Sequence, residues 1–256
     1  MTPGNRNTEY FESLEQVGIT GHYGGAGATQ RLVDMLRIAP GQRVLDLGCG
    51  TAYTATSLAR LYPVEVVAVD LRTHILSWAK RRVLWEGEES IVWLSVADAH
   101  TLPFISGSFD VVVTESLLVF CDPERVAAEI YRVLKPGGRF GCNENTLIKP
   151  LPDALKVDLD QESSVDIVLY DNDQWRGTFQ KAGFEQVTGS VHVSNWLEVS
   201  LFTPIRTSGI RNYLTDLWQS LSGSKERRSP QPALHSVRLV SYLGHGLYTG
   251  QKPKDY

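Results

Sequence analysis

Apolar runs alternate along this chain with segments in which apolar residues recur every three or four positions. The runs predict buried strands at residues 43–47, 64–70, 91–96 and 109–114, with a fifth strand beginning at 139–143. The segments with helical spacing predict helices at residues 29–37, 53–61, 73–85 and 123–134. Because strands and helices alternate, the sequence predicts an α/β fold with a parallel sheet and right-handed crossovers.

The pattern is weaker at both ends of this region. Before it, residues 8–17 predict a short helix, and the glycine-dense residues 18–27 predict a loop. After it, the sequence predicts a helix at 173–182, a strand from 183, a helix at 210–221 and a last strand at 242–251. We therefore expect a single domain over residues 1–256, with an N-terminal helical cap (about 1–40) and insertions at about 147–172 and 203–235.

Composition and charge exclude several classes of protein. The formal net charge of −4 argues against a nucleic-acid-binding surface. Three widely spaced cysteines, Cys49, Cys121 and Cys142, fit neither a disulfide framework nor a metal site, and they favour a reducing compartment. The polar N-terminus resembles no signal peptide, and no apolar run reaches the roughly 18 residues of a membrane span. We expect a cytoplasmic protein that acts on a small molecule, with a homodimer as the assembly to consider.

A glycine turn follows the first strand and precedes a helix, which is a common place for a nucleotide-like ligand. The dinucleotide fingerprint needs glycine at the first, third and sixth positions, which here hold Gly48, Gly50 and Tyr53. The sixth position therefore lacks the glycine that this fingerprint needs. In addition, the carboxylate of Asp46 opposes a pyrophosphate but attracts an ammonium group. A ligand with an amino-acid end and a nucleoside end, S-adenosylmethionine (SAM), fits better, and a dinucleotide-dependent oxidoreductase remains the alternative.

Two further acidic residues follow neighbouring strands. Asp70 ends the second predicted strand about twenty residues after the turn, where an acid can accept hydrogen bonds from both ribose hydroxyls. Asp98 follows the third strand and could accept a hydrogen bond from the adenine amino group. The alternative is that both residues are only polar caps at strand ends.

Five short sequence motifs follow one another along the chain, at residues 44–51, 69–70, 97–104, 108–112 and 132–138. Over residues 29–145 the chain resembles the class I SAM-dependent methyltransferases, in particular the small-molecule branch that includes menaquinone and ubiquinone biosynthesis methyltransferases. The resemblance implies a Rossmann-like three-layer sandwich with a seven-stranded, mostly parallel sheet in the order 3-2-1-4-5-7-6, the last strand antiparallel. One departure is Ala52, which stands where the family usually has a third glycine.

The resemblance also implies a function and a site. It implies methyl transfer to a small, partly apolar acceptor by in-line displacement, with C-, O- and N-methylation all open. The alternative is a non-catalytic partner protein of the same fold. The implied cofactor-binding residues are Asp46, Gly48, Cys49, Gly50, Asp70, Leu71, Asp98, Ala99 and Glu115.

Candidate catalytic residues lie near the predicted strand ends and in the glycine loop. Glu115 follows the fourth strand as a candidate base, and His22 and Tyr23 lie in the loop, where a solvent-facing histidine is the alternative for His22. An Asn/Asp-Pro-Pro-Tyr motif is absent after that strand, which argues against methylation of amino groups in nucleic acid or protein. Asn143, Glu144 and Asn145 end the fifth strand. The predicted acceptor pocket comprises residues 1 to about 40, residues 117–120, residues 147–172 and the helix near Tyr213 and Trp218.

Overall fold

A computed structural model describes residues 24–153, 155, 167–193 and 241–254. The predicted helices at 8–17 and 210–221 lie outside the described residues, as do His22, Tyr23, Tyr213 and Trp218. The division into one domain with a cap and two insertions stays a prediction.

A mixed sheet of eight strands forms the centre of the described structure. Its strands are β1 (Arg43–Leu47), β2 (Glu65–Asp70), β3 (Val92–Val96), β4 (Phe109–Glu115), β5 (Leu134–Leu147), β6 (Tyr170–Asp171), β7 (Glu185–Val193) and β8 (Leu243–Gln251). The strand order is β3-β2-β1-β4-β5-β8-β7, and the short β6 pairs with the end of β5. The last strand, β8, is antiparallel to both of its neighbours. Apart from the additional β6, this confirms the strand order 3-2-1-4-5-7-6.

Helices cover both faces of the sheet and give three layers. They are α1 (Gly25–Leu36), α2 (Tyr53–Leu61), α3 (Thr73–Glu86), α4 (Pro123–Val133) and α5 (Asn172–Lys181). One core joins α1, α2 and α3 to the sheet face that carries Val66, Val111 and Val113. The other joins α4 and α5 to the opposite face, where Phe140 packs against Phe179 with ring centroids 4.2 Å apart.

Two starting points differ by four or more residues from the sequence-based prediction. Helix α1 begins at Gly25, whereas the prediction placed residues 18–27 in a loop and started the helix at residue 29. Its N-cap residue Gly24 has a φ of 80°, which glycine adopts without strain, so the chain can enter the helix directly after it. Strand β5 begins at Leu134, and the predicted turn at residues 135–138 interrupts its pairing with β4 as an irregularity of register.

The carboxyl ends of the parallel strands β1, β2, β3, β4 and β5 lie at one edge of the sheet. Because β8 runs in the opposite direction, its first residues lie at the same edge, where Leu243 pairs with Leu147. Ligands of open α/β sheets bind at this edge. Among the residues that the structure describes, no helix is long and apolar enough to cross a membrane.

Candidate functional site

The turn after β1 has a backbone conformation that its sequence explains. Gly48 has a φ of 73° and Gly50 a φ of 53°, in the left-handed region that glycine adopts at little cost. A Cβ at Gly48 would also lie 3.0 Å from the side chain of Leu117. Ala52 takes a φ of 60° as the N-cap of α2, so it replaces the family's third glycine in a conformation that favours glycine.

Asp46 is a buried carboxyl group below this turn. Asp46 is only 3% exposed, and its Oδ2 has no hydrogen-bond donor within the part of the chain that the structure describes. Burial, with the nearby charge of Glu115, raises the pKa of Asp46 to about 8, although an N–H of Ala55 opposes the shift. A buried polar atom without a partner is costly, and a ligand that supplies a donor or a cation would remove that cost.

Asp70 connects the end of β2 to the turn. Its Oδ2 accepts a hydrogen bond from the backbone N–H of Gly50 at 3.0 Å, and its Oδ1 accepts one from the N–H of Arg72 at 3.0 Å. Burial raises the pKa of Asp70, and these N–H groups oppose the shift. Leu71, the next residue, is 62% exposed.

Asp98 and Ala99 follow β3 at the same edge of the sheet. Oδ1 of Asp98 accepts hydrogen bonds from the backbone N–H of His100 at 2.9 Å and from its Nδ1 at 2.8 Å, and these bonds lower the pKa of Asp98. The Nε2 of His100 accepts the backbone N–H of Asp122 at 3.1 Å, so the ring carries its proton on Nδ1. His100 therefore connects the loop after β3 to the N-terminus of α4.

Glu115 ends β4 and is surrounded by hydrogen-bond donors. Its Oε1 accepts from the hydroxyl of Thr54 at 2.9 Å, and its Oε2 accepts from Nδ2 of Asn143 at 3.1 Å. The hydroxyl of Thr29 lies within 3.1 Å of both oxygens. Glu115 thus joins α1, α2 and β5 at one point. These hydrogen bonds fix the position of the carboxyl group, and the predicted role of Glu115 as a base stays a prediction.

Glu144 lies on the opposite face of β5 from Asn143. Its carboxyl group is fully buried and accepts the backbone N–H groups of Leu117 at 2.9 Å, Leu118 at 2.8 Å and Val119 at 3.4 Å. Burial raises the pKa of Glu144 to about 8, and the three N–H groups oppose the shift. Glu144 fixes the short 3-10 helix Leu118–Phe120 after β4 and, on that face, takes no part in the site around Glu115.

The three cysteines occupy the positions expected of small apolar residues. Cys49 and Cys142 are buried, and burial raises the pKa of both thiols. Burial also raises the pKa of Cys121 to about 12. A protonated thiol is a poor nucleophile, so these residues offer no reactive thiolate. Among the described residues, no group of three or more His, Cys, Asp or Glu side chains could hold a metal ion.

The predicted acceptor pocket needs a correction at the segment after β4. Leu118 and Val119 are buried in the core beneath α4 and α5, so they do not line a pocket at the sheet edge. Leu117 and Phe120 are only partly buried and pack against that core. Glu144 explains the difference, because its hydrogen bonds turn this segment into a 3-10 helix with its apolar residues inward.

Two histidines that the sequence analysis did not identify lie at the carboxyl edge. His192 on β7 and His245 on β8 are paired residues, and their rings stack with centroids 5.1 Å apart. His245 is 4% exposed, and its Nε2 lies 3.4 Å from an Nη2 of Arg31 on α1. The sequence signal was the Gly-His-Gly pattern at residues 244–246, but only the strand register shows that the two histidines are neighbours.

Comparison with known proteins identifies this arrangement. A family model described as "Methyltransferase domain" matches residues 45–142. The chain is 35% identical over 181 residues to the uncharacterized methyltransferase YodH of Bacillus subtilis, covering 70% of this chain and 76% of that protein. It is 28% identical over 235 residues to the 27-O-demethylrifamycin SV methyltransferase of Amycolatopsis mediterranei, covering 88% of this chain and 82% of that protein.

A solved structure shows the same fold. The phosphoethanolamine N-methyltransferase 2 of Haemonchus contortus, in complex with SAM, matches with a TM-score of 0.71 and 22% identity. The match covers 91% of this chain and 54% of that one.

The fold and the glycine turn define an α/β protein with a nucleoside-binding edge, and the relatives make the assignment specific. The chain belongs to the class I SAM-dependent methyltransferases, and SAM is its cofactor. Membership of the menaquinone and ubiquinone branch stays a prediction.

Proposed function

We propose that this protein methylates a small-molecule acceptor that binds at the carboxyl edge of the sheet, beneath α1 and beside Glu115. The observation that carries the proposal is the buried Asp46 carboxyl group, whose Oδ2 has no donor among the described residues. SAM carries an ammonium group and a sulfonium, and a carboxyl group there would offset either positive charge. When bound, SAM supplies an electrophilic methyl group that its sulfonium activates.

The residues of the turn fit the amino-acid end of the cofactor. Gly48 and Gly50 have no Cβ, so their backbone is open to close approach by a ligand. Asp46 lies below them, and a cation close to its carboxyl group would favour the ionised form. We assign Asp46, Gly48, Cys49 and Gly50 to this end of SAM.

Residues after β2 and β3 fit the nucleoside end. Both oxygens of Asp70 accept one N–H each and retain capacity for the two ribose hydroxyls. Asp98 has a half-exposed side chain, 45% of it accessible, that can accept a hydrogen bond from the adenine amino group. We assign Leu71 and Ala99 to the apolar contacts of this part of the ligand.

Glu115 fits a role between cofactor and acceptor. Its hydrogen bonds to Thr29, Thr54 and Asn143 fix the distance between α1, α2 and β5, where the two ligands would meet. Well-oriented placement of reactants can lower a barrier by roughly 7–11 kcal/mol, so a positioning role suffices for a substantial effect. His22 and Tyr23 remain candidates for contact with the acceptor.

Two relatives support a small-molecule acceptor by their names, which refer to a rifamycin and to phosphoethanolamine. We propose the same class of acceptor here. The partly buried Leu117 and Phe120 agree with an acceptor that is in part apolar.

Calorimetry tests the cofactor site directly. We expect S-adenosylhomocysteine to bind the native protein and NAD not to bind. We expect Asp46→Asn and Asp70→Asn to weaken S-adenosylhomocysteine binding about tenfold or more, since each removes a charged partner. Asp110→Asn is the control, because Asp110 bonds to Lys135 and to the N–H of Arg43 at the start of β1, the far end of the strand. Binding of NAD without binding of S-adenosylhomocysteine would contradict the proposal.

Labelled SAM then tests the transfer. Panels of small phenols, quinols, carboxylic acids and amines serve as acceptors, and incorporation of label into the small-molecule fraction is measured. A native protein that binds S-adenosylhomocysteine but labels only added protein or nucleic acid would refute the proposed class of acceptor.

A further inference from the structure

We propose that Arg31, His192 and His245 form a subsite for an anionic oxygen group of the acceptor, a carboxylate or a phosphate. The inference rests on the proposed function, because it names the chemistry of the acceptor at the same edge of the sheet. It differs from the cofactor site, which is built from β1, β2 and the residues after β3.

Strand register places the two histidines on the face that carries Glu115. Glu115 pairs with Asn143 on β5, and Asn145, two residues further along, pairs with His245 on β8. Side chains two residues apart on a strand lie on the same face, and so do directly paired residues. Glu115 and His245 therefore lie on one face, two strands apart and separated along the strands by one two-residue repeat of roughly 7 Å.

Helix α1 contacts both Glu115 and His245. Thr29 donates to Glu115, and Arg31, two residues later, reaches His245 with 3.4 Å between Nη2 and Nε2. The start of α1 lies close to β8, since a Cβ on Gly24 would be 2.6 Å from the Nε2 of His245. A glycine at residue 24 thus leaves space beside the ring that any side chain would fill.

The charges divide this edge into two parts. The cofactor part contains the carboxyl groups of Asp46, Asp70 and Glu115. The part around His245 contains a guanidinium and two imidazoles, and among the described residues no carboxylate forms an ion pair with Arg31. Two nitrogen atoms 3.4 Å apart can both donate to one anionic oxygen when the His245 ring is the tautomer with its hydrogen on Nε2.

Two neighbouring features agree with a ligand here. Asn145, the strand partner of His245, has a buried Oδ1 without a donor among the described residues, so it can accept a hydrogen bond from a ligand hydroxyl or amine. Helix α1 begins beside His245 without a side-chain cap or an acidic residue in its first turn. Its first N–H groups favour an anion, which adds to the effect of Arg31.

A metal ion fits this cluster less well. The two rings are nearly parallel, 22° apart, so their nitrogen atoms do not converge as ligands of one ion would. The guanidinium of Arg31 would also repel a cation next to Nε2.

Histidine side-chain NMR on the full chain tests the subsite without knowledge of the acceptor. Protein labelled with ¹³C-histidine and saturated with S-adenosylhomocysteine is titrated with inorganic phosphate and, separately, with acetate at constant ionic strength. We expect saturable shifts of the His192 and His245 signals with at least one anion, and none of His74 or His100, which lie elsewhere. The preferred anion distinguishes a phosphate from a carboxylate acceptor.

Arg31→Gln is the decisive variant, since Arg31 is exposed and its replacement leaves the core intact. We expect it to weaken anion binding about tenfold or more while S-adenosylhomocysteine binds as before. Arg37→Gln, with the same change of charge at the end of α1, should bind the anion as the native protein does.

Two results would overturn the inference. One is the absence of saturable shifts with both anions, or equal shifts in the native protein and Arg31→Gln. The other is a loss of S-adenosylhomocysteine affinity in Arg31→Gln together with competition between phosphate and S-adenosylhomocysteine, which would assign the cluster to the cofactor's own carboxylate. Failure of the proposed function appears separately, as failure of the native protein to bind S-adenosylhomocysteine.

Discussion

The carboxyl group of Asp70 accepts the backbone N–H of Gly50 at 3.0 Å, so the acid at the end of β2 holds the glycine turn after β1. Its second oxygen accepts the N–H of Arg72. One side chain thus orders the two backbone segments between which a nucleoside would lie. The same oxygens that we assign to the ribose therefore also shape the turn.

Asp70→Ala should cost both stability and affinity. It leaves the N–H groups of Gly50 and Arg72 without this acceptor, and we expect the free energy of unfolding to fall by about 1–3 kcal/mol. Asp70→Asn keeps one accepting oxygen, so we expect it to lose less stability than Asp70→Ala. Urea denaturation of both variants measures this order. Equal stability of Asp70→Ala and the native protein would show that the bonds do not hold the turn.

Asp46→Asn should separate affinity from stability. Asparagine has nearly the same shape but no charge, so we expect S-adenosylhomocysteine affinity to fall about 10–100-fold. The ligand-free variant should be at least as stable as the native protein at about pH 8, because it removes a buried charge. Calorimetry and urea denaturation give the two quantities. A variant that loses stability but keeps its affinity would contradict the assignment.

The pH dependence of stability follows from the two buried acids. The pKa of Asp46 and of Glu144 is raised to about 8 in the folded protein, from 3.8 and 4.5. Between about pH 4 and pH 8 the folded state therefore keeps protons that the unfolded state has released. The stability that these two groups contribute is greatest below this range and falls as pH rises, by up to about 1.4 kcal/mol per pH unit for each group, until the pH passes about 8.

Urea denaturation at about pH 5.5 and about pH 7.5 measures that slope. We expect Asp46→Asn to reduce it, since one of the two groups is gone. Saturating S-adenosylhomocysteine should reduce it as well, because a cation beside Asp46 lowers the pKa of that group. A ligand-free protein whose stability rises between these two pH values would contradict the burial of both acids.

Gly48→Ala should destabilise the protein more than Gly107→Ala, although the two glycines have the same backbone conformation. Gly48 and Gly107 have φ values of 73° and 71°, but only at Gly48 would a Cβ meet another side chain, that of Leu117 at 3.0 Å. We expect each variant to lose about 1–2 kcal/mol of unfolding free energy, because alanine is disfavoured in the left-handed conformation. Gly48→Ala should lose more than this. The difference between the two variants in urea denaturation measures the collision, and equal losses would exclude it.

Much of the sheet was predictable because its signals are local. The strand at residues 43–47 and the helix at 53–61 agree with β1 and α2 at both ends, since a buried apolar run and a helical stripe bounded by glycine are unambiguous. The turn also pointed to Asp46 and Asp70, whose roles at the cofactor stay predictions. The start of α1 was predicted wrongly, because glycine is disfavoured in helices and only the packing of α1 against β5 and β8 outweighs this.

The acceptor side was not predictable in the same way. Nothing local in the sequence indicates that His192 and His245 are neighbours, since their pairing depends on the register of β7 with β8. The inward direction of Leu118 and Val119 depends on Glu144, a residue 25 or more positions later in the chain. Such long-range contacts become visible only in three dimensions.

The reversed direction of β8 brings distant parts of the chain to one edge of the sheet. The chain leaves the described sheet after Val193 and re-enters it at Leu243, and both points lie at the edge where the acceptor would bind. His192 near the end of β7 and His245 near the start of β8 therefore lie at the same edge as the glycine turn after β1. A single antiparallel strand thus lets one edge combine residues from the beginning and the end of the chain.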